Sequence, residues 1–436
     1  MPPFGPTSGS QDLAVPRSSP PVQPKVEDPM VVVAGSLAID LACDLQSSRS
    51  ASPTTGPALG TSNPAVIRQG VGGVGRNLAM ALHFLNVPTR LCSRVGRDIA
   101  GSVALDMMQK EGLDSLGVRV SDNESQTAKY VAVNDENKDL VMAVADMHIL
   151  EEEPWTEVAN PDRVDMLKHW ADCRPQWLVV DANWSPETLR TWMKAGRALG
   201  ARVALEPVSV AKSQSLFANL SRIQQDDLHC FPDNALDIAS PNALELAAMH
   251  EAAANAGCFE REEWFHVVNS FALSNTGSRQ RLEQLTSKDL VDQGIPQQSV
   301  KLLPFIPCIV TTLGEKGVLL TQLLHASDER LRSQTAAPYL LSRPLDEDGD
   351  TGGIYMRLFP PSEKVPRESV VSTNGAGDTW LGILIAALAV SPAARIEDVI
   401  DLAQKGSVMT LKSTQAVSEQ IRDLRNAIWG DQRVFH

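Results

Sequence analysis

The residues best able to do chemistry lie in VVSTNGAGDTWLGILIAAL, residues 370–388. A strand-like end at Val370 and Val371 runs into the small-residue turn Asn374-Gly375-Ala376-Gly377, then Asp378, then an apolar helix through Leu381, Leu384, Ile385 and Leu388. Such a turn aims free backbone N–H groups and the positive end of a helix dipole at one point, which makes an anion site. A carboxylate beside an anion site suits phosphoryl transfer to an alcohol. Asp378 takes the hydroxyl proton, and the amides of Gly375, Ala376 and Gly377 stabilise charge building on the phosphoryl group. The plainer alternative is that Asp378 only caps the helix, a position Asp favours.

A second glycine-rich stretch, QGVGGVGRN (residues 69–77), satisfies GxGxxG with Gly70, Gly72 and Gly75. A dinucleotide fingerprint should follow the first apolar strand and precede an acidic residue about 20 positions on, at the end of the next strand. Here the first apolar strand, VVVAG, comes tens of residues earlier, the run AVIRQ before the glycines is short and charged, and the next strand ends in Ser93 and Arg94. An NADP enzyme could use that arginine, but the NGAGD turn would then have no purpose. The loop reads instead as one that brings backbone close to a different ligand.

These residues need a scaffold, and composition and pattern describe one. With 436 residues, 43% of them hydrophobic, the chain can bury a large core. Its 39 basic against 53 acidic residues give a formal charge of −14, which excludes an extended basic footprint for nucleic acid. The six cysteines (Cys43, Cys92, Cys173, Cys230, Cys258, Cys308) stand singly, so neither a zinc site nor a disulfide framework is expected, and a reducing, cytoplasmic setting fits. The apolar run ILIAALAV (residues 383–390) is far short of the roughly 20 residues of a membrane span. The Pro- and Ser-rich residues 1–28 read as a disordered tail, with residues 29–436 as one folded domain.

Apolar strand-like runs at residues 30–34, 89–95, 176–182, 201–207, 307–313 and 317–321 alternate with helical patterns such as NLAMALHFL and PETLRTWMKAGRAL. That alternation predicts a doubly wound, mostly parallel α/β sheet with helices on both faces. Residues 37–45, 65–70 and 127–146 have a period nearer two, with a polar turn at residues 134–137, and predict a small antiparallel β flap from about residues 37–70 and 120–148. Residues 255–299 and 325–367 are polar, Pro-bearing or acidic and read as surface inserts.

NGAGD followed by an apolar helix resembles the second signature of the ribokinase (PfkB) family of carbohydrate and nucleoside kinases, and GGVGRNLAMALHFLNVPTRLCSRVGRDIAG (residues 72–101) resembles its first. Within that family VAGSLAIDL, SNPAVIRQGVGGVGRN, LVMAVADMHIL, LEPVSVAK and SPNALELAAM are most similar to the pseudouridine kinase branch. The resemblance implies a ribokinase-like fold with a β lid over the sugar, ATP and Mg2+ as co-reactants, and transfer to the 5′-hydroxyl of pseudouridine. Another nucleoside or sugar, such as ribose or adenosine, is the runner-up, and a non-catalytic nucleoside binder the alternative beyond enzymes.

By the same resemblance, Asp40, Gly72, Gly73 and Asn77 hold the ribose, while Asp146 and Lys212 contact the base or shape the lid. A solvated turn carboxylate, a helix cap at Asn77, a hairpin-end aspartate and a surface lysine are the plainer alternatives. Asn242 and Glu245 share one helix face at i, i+3; the resemblance gives Asn242 to phosphate oxygens and Glu245 to Mg2+, against a plain helix start with an exposed Glu. Asn183, Thr312, Gly314 and Gly317 sit at sheet ends, where nucleotides bind in open α/β folds, and the resemblance puts them at the ATP phosphates and ribose, with Gly406 and Ser407 near adenine. The chain departs from the family at Ser372, where many relatives carry an Asp that helps bind an activating monovalent cation. Lids in the family sometimes pair between subunits, which implies a homodimer as one assembly.

Overall fold

The structure is a computed structural model that describes residues 28–46, 57–121, 124–136, 140–152, 174–218, 220, 228–271, 273, 278–344 and 349–430. Residues 1–27 of the expected tail, the tip of the expected 134–137 turn and residues 345–348 of the acidic run lie outside the described residues.

Short β-branched runs make the sheet. β1 (Val31–Ala34), β4 (Thr89–Val95), β8 (Trp177–Asp181), β9 (Arg202–Glu206), β10 (Ile238–Ala239) and β11 (Cys308–Thr312) are strands of a ten-stranded sheet of order β13-β14-β12-β11-β10-β9-β8-β1-β4-β5. From β11 to β5 (Val118–Val120) every pairing is parallel; β12 (Val318–His325), β14 (Thr351–Phe359) and β13 (Leu340–Ser342) then add an antiparallel edge. Alternate residues serve opposite faces. Val32, Leu178, Val180, Val203 and Leu205 enter one core cluster, and Val31, Val33, Trp177, Val179 and Ala204 enter the other. Helices Pro186–Ala198 and Ala243–Asn255 cover the first face, and Val74–Phe84, Ile99–Lys110, Ala376–Val390 and Ile396–Leu411 cover the second. This is the doubly wound architecture that the pattern predicts.

The flap is a separate four-stranded sheet, β3-β2-β6-β7, made of β2 (Ala38–Leu45), β3 (Ala65–Gly72), β6 (Lys129–Asn134) and β7 (Leu140–Asp146). It is mixed rather than antiparallel, because β2 and β6 run parallel at its centre while β2–β3 and β6–β7 are antiparallel. A period of two cannot distinguish the two pairings.

Two further expectations need revision. No strand precedes the NGAGD turn; a short 3-10 turn at Arg367–Ser369 leads into it, and the Val371 N–H donates to the carbonyl of Leu411, the final residue of helix Ile396–Leu411. The segments at 255–299 and 325–367 are also not surface additions. The first forms helices Glu262–Ser270, Ser278–Leu285, Lys288–Asp292 and the start of Ile295–Leu302, and places Trp264, Phe271, Leu290 and Ile295 in the core. The second carries β13 and β14, whose Ile354, Tyr355 and Met356 are buried. Polar helix faces hid the apolar stripe of the first, and the acidic run masked the strand beside it.

Phe271, fully buried at the end of helix Glu262–Ser270, gives the test. Phe271→Ala should cost about 3 kcal/mol or more in chemical denaturation. A loss within roughly 0.5 kcal/mol is what a surface insert would show, and it would refute the packed reading.

Candidate active site

The C-terminal ends of β8, β9 and β11 place Asp181, Glu206 and Thr312 along one edge of the sheet. Asp181 is fully buried and organises the local chain. Its Oδ2 accepts from the Ser36 N–H (2.7 Å), the Ser36 hydroxyl (2.9 Å) and the Gly75 N–H (3.0 Å), and its Oδ1 from the Asn183 N–H (3.1 Å). The Ser36 hydroxyl in turn accepts from Val74 N–H and from Asn183 Nδ2. The helix Val74–Phe84 is thereby fixed by its first turn against the end of β1.

That docking gives the glycines of QGVGGVGRN their role. A Cβ on Gly75 would lie 2.5 Å from the Gly35 backbone, and one on Gly73, whose φ is 96°, would lie 2.6 Å from the Ser36 carbonyl oxygen. One on Gly72 would lie 2.0 Å from the Asp40 carboxylate. The glycines admit the neighbouring loop and Asp40, and the open space expected for a sugar ring is not what requires them. Asn77 lies inside this helix, whose N-cap is Gly73, so it caps nothing.

Asn77 is buried, and its Nδ2 donates to Asp378 Oδ2 at 2.8 Å. Asp378 is the third residue of helix Ala376–Val390; the N-cap is Gly375, at φ 74°, with no side-chain cap. The carboxylate therefore does not serve as the N-cap, and the first-turn N–H groups keep no side-chain partner. A Cβ on Gly377 would meet nothing within 4 Å, so the approach to those amides is open, whereas one on Gly375 would strike the Ala416 carbonyl oxygen. Burial lifts the Asp378 pKa to about 7, opposed by the Asn77 hydrogen bond and reinforced by the charges of Asp181, Asp40 and Glu245.

Further carboxylates converge. Burial raises Asp40 to about 6, with Arg76 pulling it back. Glu206 is held well above its ordinary value by burial and by the charges of Asp378 and Glu245; it accepts from Ser240 Oγ at 2.7 Å. Glu245 is buried too, not exposed, and forms a reciprocal cap with Asn242: Asn242 Oδ1 accepts from the Leu244 and Glu245 N–H groups, and Glu245 Oε2 accepts from the Asn242 N–H. Asn242 and Thr312 adjoin through a parallel bridge, beside the tight turn at Gly314 and Gly317. A Cβ on Gly314 would be in open space, while one on Gly317 would lie 2.0 Å from the Phe359 carbonyl oxygen, so Gly317 is required by packing.

Not every expected site residue joins this edge. Asn183 Nδ2 is taken by Ser36, so its amide belongs to the Asp181 network rather than to an open nucleotide surface. Asp146 pairs in register with Lys129, neighbour of Tyr130, whereas Asp40 pairs with Tyr130; alternation puts Asp146 on the lid face away from Asp40. Its Oδ1 accepts from the His148 N–H beside a separate recess lined by Ser125, Gln126 and Glu152. Lys212 is ion-paired with Glu151. Gly406 faces Ile383 so closely that a Cβ would lie 1.9 Å from its Cδ1, and Ser407 Oγ donates to the Ala376 carbonyl at 2.7 Å; both brace the Asp378 helix rather than approach an open base pocket. Ser372 Oγ accepts from the Asn374 N–H within the turn.

Sequence reasoning missed Ser36, Asp181 and Glu206. The available signal was an acidic residue closing an otherwise apolar buried strand, in WLVVD and VALE, because a charge there is costly unless several donors meet it.

The arrangement, an uncapped helix N-terminus with a raised carboxylate beside it at the carboxyl edge of a doubly wound sheet, can be set against known proteins. Residues 28–269 match the family described as "pfkB family carbohydrate kinase", more than half of the chain. The chain belongs to that family. It is 29% identical over 399 residues to the pseudouridine-metabolizing bifunctional protein C1861.05 of Schizosaccharomyces pombe, covering 90% of this chain and 47% of that protein; it thus spans about half the length of that relative. It is 27% identical over 398 residues to the pseudouridine kinase of Arabidopsis thaliana, covering 88% of this chain and 90% of the relative. Among solved structures, the Arabidopsis thaliana ribokinase complexed with ribose and ATP superposes with a TM-score of 0.56 at 16% identity, covering 92% of this chain and 98% of that one. The Giardia lamblia ribokinase gives 0.57 at 15% identity, with 91% and 98% covered. These pfkB-family comparisons establish the ribokinase-like fold.

The raised Asp378 pKa has a sign that can be measured. Between its ordinary value of 3.8 and about 7 the native carboxyl keeps a proton that the unfolded chain has released, so stability from this group falls as pH rises through that window. Asp378→Asn should therefore unfold at a higher temperature than wild type at pH 8, with the gap closing towards pH 4. A gap that stays constant with pH would show that Asp378 ionises normally.

Proposed function

We propose that the chain is an ATP-dependent kinase that transfers a phosphoryl group to the 5′-hydroxyl of pseudouridine. The observation that carries the reaction type is the buried Asp378 carboxylate, raised to about 7 and oriented by Asn77, one residue beyond the open Gly377 amide on an uncapped helix. A base with a pKa near the working pH accepts the hydroxyl proton without needing strong driving force. The adjacent N–H groups and helix dipole then meet the negative charge spread over the transferring phosphoryl oxygens. Pseudouridine as the acceptor is supported by the two curated relatives named for it, one of which this chain spans almost end to end.

Each part of the site takes a share. Asp40, at the root of the lid, accepts the vicinal ribose hydroxyls, whose approach the cationic Arg76 and the glycine at 72 leave possible. Asn242, Thr312 and the Gly314 turn border the triphosphate of ATP at the far side of Asp378. Burial raises Glu245, Glu206 and Asp378, Glu245 adds to the shifts of the other two, and no basic side chain is among the causes for any of the three, so the local field favours a cation. Mg2+ would be held there chiefly through water and phosphate, with Glu245 the nearby carboxylate. Mg2+ there would neutralise phosphate charge. The lid's outer face exposes Ile67, Met142 and Val144, apolar surface that supports pairing of two lids.

Asp378→Asn should lower kcat for pseudouridine about 10³-fold or more, with nucleoside binding by calorimetry kept within a few-fold. Turnover equal to wild type would rule out Asp378 as the base. Parallel assays with pseudouridine, uridine, adenosine and ribose decide the substrate, and a clear preference for any but pseudouridine would displace it.

A further inference from the structure

The lid holds one aromatic side chain whose position the chemistry above does not use. β2 and β6 run parallel with Asp40 opposite Tyr130, and β6 and β7 antiparallel with Tyr130 opposite Ala145. Residues in register share a sheet face, so Asp40 and Tyr130 stand side by side. The face is the one turned to the site, since Asp40 lies against Gly72, feels Arg76 and raises Asp378. The opposite face packs on the core at its root, through Ile39 and Leu41, and exposes Ile67, Met142 and Val144 further along the strands.

Tyr130 is half-buried and makes no hydrogen bond, ion pair or ring contact among the described residues. Burial and the charge of Asp40 hold its phenol above the ordinary value, so it stays a neutral O–H group able to donate and accept. The next row of the same face is Ala42, Ala132 and Ala143, and Ala145 flanks Tyr130 on the side away from Asp40, so in these positions only methyl groups stand beside the ring. Neighbouring strands lie about 4.8 Å apart. A sugar whose 2′- and 3′-hydroxyls rest on Asp40 carries its base on the adjoining ring carbon, about one strand spacing away. β3, the other neighbour of β2, ends in Gly72 at the start of the helix that holds Asn77 against Asp378, so a sugar whose 5′-hydroxyl meets Asp378 turns its base towards β6.

We infer that Tyr130 is a specificity-determining residue that receives the planar base of a nucleoside, so that the lid selects ribosyl substrates bearing a flat ring over the free sugar. This rests on the kinase reading above. Stacking on an aromatic side chain tolerates many bases, and the phenol adds a polar contact at the ring edge.

Steady-state kinetics with pseudouridine and with D-ribose, in wild type, Tyr130→Ala, Tyr130→Phe and Ala132→Phe, test it. Tyr130→Ala should raise KM for pseudouridine roughly 10- to 100-fold with kcat held within a few-fold, while the ribose constants stay put; Tyr130→Phe should retain most of the affinity. Ala132→Phe, which fills the space beside the ring, should likewise hurt pseudouridine alone. If ribose does not turn over, its competitive inhibition constant replaces its KM. Pseudouridine and ribose constants that move together, or pseudouridine constants that do not move at all, overturn the inference and leave the kinase reading standing. Wild type that phosphorylates neither compound overturns the kinase reading itself.

Discussion

The site is built outward from one buried carboxylate. Asp181 has no solvent to stabilise its charge, so it must be met by donors or stay protonated, and burial alone raises its pKa. The donors come from three separate stretches: Ser36 after β1, Gly75 at the start of a helix, and Asn183 after β8. The same carboxylate explains the absence of side chains around it. A Cβ on Gly35 would lie 2.6 Å from Asp181 Oδ2, and one on Gly75 would collide with Gly35. With the helix start fixed in this way, Asn77 projects one turn later at the place where Asp378 arrives from the other end of the chain.

Stability is given up to keep this cluster. Asp40, Asp181, Glu206, Glu245 and Asp378 all have raised pKa values, and burial is the leading cause in each. Among the causes of these five shifts the one basic side chain is Arg76, acting on Asp40. Apolar residues at these positions would give a more stable protein, as they do where buried ion pairs are replaced. Uncompensated negative potential at the carboxyl edge of the sheet is useful only to something that binds there with positive charge or brings a proton to be removed. That field is the physical support for the proposal that a metal-bound nucleotide and an alcohol meet in this cleft, and it does not depend on likeness to relatives.

Much of this could be seen in the sequence, and the gaps follow a pattern. Strand runs such as VVVA are recognised because buried parallel strands are nearly all apolar, and the observed β1, Val31–Ala34, fills the run expected at residues 30–34. The NGAGD turn was legible because Gly375 needs a left-handed φ and the helix after it is apolar all round. The parallel β2–β6 pairing was not, since alternation records faces and not direction. The purpose of Gly72, Gly73 and Gly75 was likewise hidden: a glycine signals close approach without naming the partner, which proved to be Asp40, Ser36 and Gly35. Asp181 and Glu206 escaped because their partners lie up to 145 positions away.

The two glycine-rich stretches are therefore one device. Helices Val74–Phe84 and Ala376–Val390 lie side by side on the same face of the sheet, close enough that a Cβ on Gly382 would lie 2.7 Å from Ala81 Cβ. That contact sets how far the two helix starts can slide past each other, and the Asn77–Asp378 hydrogen bond, spanning 301 positions, sets their register at the top. Ser407 holds the Ala376 carbonyl from a third helix, and Thr379 Oγ1 meets Thr410 Oγ1 at 2.9 Å behind it. Asp378 is thus fixed from two sides by packing and from a third by a directed hydrogen bond. A carboxylate held in this way loses little further freedom when it meets a hydroxyl, which is what makes position, rather than basicity alone, the contribution of the fold.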